Sequence, residues 1–93
     1  MGIFDLLRVY AGKWSVKSSR AFTEEEINAV DEAVVVASEY GNSVCFHMAA
    51  GGMTFIPLSS ASTKGVGESV DLHNAKLLTL EKSGEADIVR VEC

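Results

Sequence analysis

A chain of 93 residues has room for one domain. A domain of this size buries roughly 60–65% of the surface its unfolded chain exposes, which supports one modest core and leaves little room for a deep enzyme cleft. With 47% hydrophobic residues, 23% charged residues and a single proline, the composition is globular and excludes disordered and low-complexity classes. The net charge of −5 weighs against non-specific nucleic-acid binding.

That charge is unevenly spread. Residues 1–22 carry Arg8, Lys13, Lys17 and Arg20 against Asp5, a balance of +3, whereas residues 23–93 carry four cations against twelve acids, a balance of −8. Two cysteines are too few for a disulfide scaffold and point to a reducing compartment. No signal-peptide pattern opens the chain and no apolar run approaches the ~18 residues of a membrane span, so a cytoplasmic protein without membrane contact is expected.

The first element is read from "GIFDLLRVYA". Ile3, Leu6, Leu7 and Tyr10 fall on one helical face, and Gly12 is a stop signal, so residues 1–12 form an N-terminal helical segment ahead of a β-rich body over 13–92. A helix this short must dock on something. It either lids the body or presents Ile3, Leu6, Leu7 and Tyr10 to a protein partner or a second copy. "KWSVKSSRAF" alternates next, with Trp14, Val16 and Phe22 on one side and Lys13, Ser15, Lys17 and Ser19 on the other, as in a half-exposed strand.

"FTEEEI" is a helix start with a mechanism. Thr23 and Glu26 have the spacing of a capping box, Phe22 and Ile27 that of a hydrophobic staple, and three glutamates suit the positive end of the helix dipole. The β-branched run "AVVVAS" then favours a strand, which predicts a short helix over 24–31 and a strand over 33–39.

Turn signals follow at about ten-residue spacing: Gly41-Asn42, Gly51-Gly52, the Ser/Thr/Gly-rich loop 59–67 and Ser83-Gly84. The loop 59–67 lacks the Gly-Lys-Ser/Thr ending of a phosphate loop and reads as a mobile connection. Residues 75–92 read as a final hairpin turning at Ser83-Gly84, with Lys82 and Glu85 flanking the turn and Leu78, Leu80, Val89 and Val91 on one face.

Two-residue turns at Gly41-Asn42 and Gly51-Gly52 would define a meander. They predict Ala37 opposite Phe46, Val35 opposite Met48, and Met48 opposite Phe55. One face would then hold Ala33, Val35, Ala37, Val44, Phe46, Met48, Ala50, Met53 and Phe55, wholly apolar and therefore core. Cys45 and His47 would lie on the mixed reverse face with Tyr40 and Ile56.

Neither metal nor Cys-His chemistry is expected from that pair. Zinc wants about four ligands, and Cys45, His47, His73 and Cys93 are the only cysteines and histidines in the chain. Residues two apart on a strand lie roughly 6.5–7 Å apart, too far for a direct nucleophile–base pair. No catalytic residue, metal site or cofactor is assigned.

A binding module remains. Single-stranded nucleic acid would be met by Lys13, Trp14, Lys17 and Arg20, with Tyr40 and His47 as stacking surfaces, as in small barrels with a basic groove. The alternative is a protein–protein or virion-associated structural module. The stretches "YGNSVCFHMAAGGMTFIPLS" and "AKLLTLEKSGEADIVRV" resemble a group of small uncharacterised proteins of gut Bacteroidales and their phages, over roughly residues 13–92. The resemblance lies in turns and strand patterns and implies a phage or mobile-element setting without an activity. The expected fold is mainly β: a small antiparallel barrel or rolled sheet, OB-like or SH3-like, with an N-terminal helix and one short helix.

Overall fold

The computed structural model describes residues 14–39 and 41–93. Among these described residues, six strands and one helix follow in order: β1 (Ser15–Ala21), α1 (Glu24–Asn28), β2 (Val30–Ser38), β3 (Gly41–Met48), β4 (Met53–Pro57), β5 (Lys76–Lys82) and β6 (Glu85–Glu92). The fold is mainly β, as expected. The strands form two antiparallel three-stranded sheets, ordered β1-β5-β6 and β2-β3-β4. A parallel bridge between Leu58 and Val91, with the Ser59 N–H donating to the Val91 carbonyl at 2.8 Å, joins them. The sheets do not close into a barrel. The expected N-terminal helix lies outside the described residues.

The helix starts where its caps say. The Thr23 side chain accepts from the Glu26 N–H at 3.2 Å, and Glu26 Oε1 accepts from the Thr23 N–H at 2.9 Å. Phe22 and Ile27 both pack on the core. The helix ends at Asn28, three residues earlier than expected, and β2 begins at Val30. Five residues are too few for a helix to persist on its own, and the β-branched run takes over as soon as a sheet partner is available.

The meander differs from its predicted register in two ways. Ser38 pairs with Gly41, so β2 reverses two residues earlier than Gly41-Asn42, and Ala37 meets Asn42 rather than Phe46. This even shift keeps every side chain on its expected face: Ala33 lies beside Phe46 and Val35 beside Val44. The second difference is odd. Val44 pairs with Ile56 and His47 with Met53, not Ala50 with Met53. An odd slip inverts a strand, so Met53 and Phe55 leave the predicted core and stand 58% and 47% exposed. Ile56 moves inward and packs on the core.

The cause is at the end of β3. The Ala49 N–H donates to the Ala29 carbonyl at 2.9 Å, holding Ala49 to the segment that ends the helix rather than to β4. The loop then closes with Gly51 and Gly52 at φ +102° and +86°, which glycine adopts without Cβ strain.

Bulges alter the other sheet in the same manner. Lys82 pairs with Glu85 across Ser83-Gly84, both at positive φ as a type I′ turn requires. A bulge follows, however, so Leu80 pairs with Ile88 and Leu78 with Arg90, while Val89 and Val91 lie opposite Thr79 and Leu77. Leu78 and Leu80 therefore do not share a face with Val89 and Val91. In β1 a bulge at Lys17 lets Val16 oppose Leu80 and Ser19 oppose Leu78, which breaks the simple alternation.

The main core lies between the sheets. Val35, Val44 and Val91 are fully buried, with Phe46, Leu58, Val70 and Leu72 around them, and the Phe22 and Phe46 rings meet at 6.1 Å. Leu78, Leu80 and Ile88 form a second cluster, against which Trp14 packs.

Candidate binding surface

Of the candidate nucleic-acid contacts, Trp14, Lys17 and Arg20 lie on or next to β1, and His47 lies on β3. Lys13 and Tyr40, and the helical face of Ile3, Leu6, Leu7 and Tyr10, lie outside the described residues. Trp14 is half-buried against the second cluster. Lys17 is exposed at the bulge of β1. Arg20 is exposed but held by Glu26, with Nη1 to Oε1 at 2.6 Å and Nη2 to Oε2 at 3.0 Å. That bond, followed by the Thr23 N–H, draws the Glu26 carboxyl down to about 2. His47 is exposed on the other sheet, opposite Glu32 on one side and Met53 on the other.

Cys45 and His47 are closer than strand spacing suggests. Cys45 Sγ lies 3.8 Å from His47 Nε2. The roughly 6.5–7 Å repeat describes the backbone, whereas side chains lean along the strand and two on one face can meet. The thiol is a weak donor and the imidazole nitrogen an acceptor in one tautomer. Cys45 is only 3% exposed. Among the described residues, no group of three or more His, Cys, Asp or Glu side chains is placed to hold a metal ion. Nor is any helix there long and apolar enough to cross a membrane.

What distinguishes the surface is its edges. An open sheet edge presents unpaired backbone groups, and proteins guard such edges with charge, bulges or covering chain. β1 is guarded by its bulge at Lys17 and by Arg20. β2 is covered by residues 67–70: the Val35 N–H donates to Glu68 O at 3.0 Å, Gly67 N–H to Val35 O at 2.8 Å and Val70 N–H to Ala33 O at 2.8 Å. The loop 59–67 leading there is held by its own polar groups, Ser59 Oγ accepting from the Ala61 N–H and Ser62 Oγ from the Lys64 N–H.

Among the described residues β4 carries neither a charge nor a bulge nor a covering chain before its end, where Pro57, which has no N–H to offer, blocks further pairing. Its sequence, Met-Thr-Phe-Ile-Pro, contains no charge. Among the described residues no strand pairs with its outer side in a ladder before the bridge at Leu58. Met53 and Phe55 stand out from it beside His47. The sequence reading missed both residues as surface groups because a two-residue turn at Gly51-Gly52 placed them in the core. The signal that could have corrected it is the run Ala49-Ala50-Gly51-Gly52, equally able to make a longer loop.

No protein-family model matches the chain, and comparison with curated proteins and with solved structures finds no match either.

Proposed function

We propose that this is a non-enzymatic binding module that adds an extended strand of a protein partner to the outer edge of β4. The single observation carrying this reading is the uncharged edge over residues 53–56, left unpaired among the described residues, with Met53 and Phe55 exposed along it, in a domain whose edges at β1 and β2 are protected. Strand addition takes affinity from the backbone ladder and specificity from alternate side chains. Methionine and aromatic residues are the types that interface cores favour. The sequence resemblance supports a bacterial or phage setting for the partner.

Panning a displayed library of random extended peptides against the intact protein tests the reading. Enriched peptides are expected to be apolar at alternate positions, to protect the amides of residues 53–56 from exchange, and to bind Phe55→Lys poorly. Enrichment no better than on Phe55→Lys, or protection elsewhere, counts against it. A concentration-dependent dimer abolished by Phe55→Lys would assign the edge to a second copy instead.

Single-stranded nucleic acid is the second reading, supported by Lys17 and His47 standing exposed. Arg20, occupied by Glu26, contributes less to it than expected. Oligonucleotide titration at about 50 mM salt, where phosphate contacts are strongest, is the check; absence of binding there removes it.

A further inference from the structure

Beyond the Pro57 end of β4, the chain runs into a cavity of about 260 Å³. It is lined by Asn42 from the start of β3, by Ser59, Ser60, Ser62 and Lys64 from the following loop, and by Arg90 from β6. A water occupies about 30 Å³ of liquid, so the space takes a small ion together with bridging waters.

The charge in this cavity runs against the rest of the body. Residues 23–93 hold only Lys64, Lys76, Lys82 and Arg90 as cations among twelve acids, yet two of those four cations line this one space. No carboxylate is among its described lining residues. Among the described residues, neither Arg90 nor Lys64 is in an ion pair. The Arg90 Nε–H is buried and has no hydrogen-bond partner. Burial also pushes the Arg90 guanidinium below its ordinary pKa. A guanidinium taken partly out of water without a counter-charge is costly to hold, and an anion bound at its fork would offset that cost.

The donors suit an oxyanion. Arginine offers a planar fork that matches phosphate, lysine a mobile point charge, and the Asn42 amide two N–H groups. Ser59 Oγ already accepts from the Ala61 N–H, which leaves its own O–H to donate. We propose that the cavity between Asn42, Ser59, Ser60, Lys64 and Arg90 is a binding site for a phosphoryl oxyanion, carried either as a free phosphate or as a phosphodiester of a single strand. It is separate from the proposed strand-binding edge, and neither proposal depends on the other.

The test is an amide-shift titration of the whole, isotope-labelled protein with inorganic phosphate and, separately, with oligothymidylate lacking terminal phosphates. Saturable shifts are expected at Asn42, Ser59, Ser60 and Lys64. Lys64→Gln and Arg90→Gln should each weaken binding by at least roughly tenfold, the loss of one charge-assisted contact. Lys64 is a loop residue, so its variant remains informative if Arg90→Gln fails to fold. Saturation by phosphate alone assigns the site to a small phosphate. Tighter, salt-sensitive saturation by the oligonucleotide at the same amides assigns it to a phosphodiester. No saturable shift with either probe, shifts at other residues, or binding unchanged in Lys64→Gln overturns the proposal.

Discussion

Arg20 grips Glu26 at two points, with parallel N–H···O bonds of 2.6 and 3.0 Å. The same carboxylate caps the Thr23 N–H. One acidic side chain thereby ties the end of β1 to the first turn of α1. It also withdraws one of the few N-terminal cations from any external ligand.

The pH dependence of this tie has a definite sign. The Glu26 carboxyl is lowered from its ordinary 4.5 to about 2, first by Arg20 and then by the Thr23 N–H. The folded state holds the proton less readily than the unfolded chain, so the contribution is fully present above about 4.5 and is lost as pH falls through about 2. Carboxyl-carbon NMR of Glu26 should titrate near 2, and Arg20→Ala should move the midpoint towards 4.5. A midpoint near 4.5 in the unmodified protein would contradict the two-point bond. Because both groups meet solvent, the effect should shrink with added salt.

Thr23→Ala removes the side-chain half of the capping box. A loss of about 1 kcal/mol is expected, read as a lower urea midpoint with an unchanged slope. An unchanged midpoint would mean that the cap contributes nothing, and that Phe22 and Ile27 alone anchor the helix.

The register of β4 is open to a paired substitution. Phe46 is 3% exposed and Phe55 is 47% exposed. Phe46→Ala should cost about 3–5 kcal/mol, whereas Phe55→Ala should stay within about 0.5 kcal/mol, as surface changes do. Equal costs would restore the two-residue turn at Gly51-Gly52 and return Phe55 to the core.

The two thiols should react unequally. Cys45 is buried and Cys93 half-buried. Under native conditions a thiol reagent should label Cys93 first, and Cys93→Ser should abolish the fast phase. Burial raises the Cys93 thiol above its ordinary range, so its labelling should accelerate as the pH is raised through and beyond that range. Fast labelling in Cys93→Ser would show that Cys45, and with it the contact to His47, opens readily.

Local chemistry was legible in the chain itself. The Thr23–Glu26 box joins residues three apart, Phe22 and Ile27 on either side of it both pack on the core, and the Ser83-Gly84 turn closes the hairpin of β5 and β6 with Lys82 opposite Glu85. Such features depend on neighbours along the backbone, and no distant partner can move them. The mainly β class followed from alternating strands and spaced glycines for the same reason.

Only the tertiary structure decided which side of each strand faces inward. The Ala49–Ala29 hydrogen bond lengthens one loop and inverts β4, and bulges re-pair Leu80 with Ile88 and Val16 with Leu80. A slip of one residue costs little locally and exchanges every inside position for an outside one. The uncharged edge with Met53 and Phe55, and the meeting of Lys64 with Arg90 from positions 26 residues apart, arise from that long-range pairing. The residue identities of Met53, Phe55, Lys64 and Arg90 were always in view; their exposure and their company were set by which strands met, and in which register.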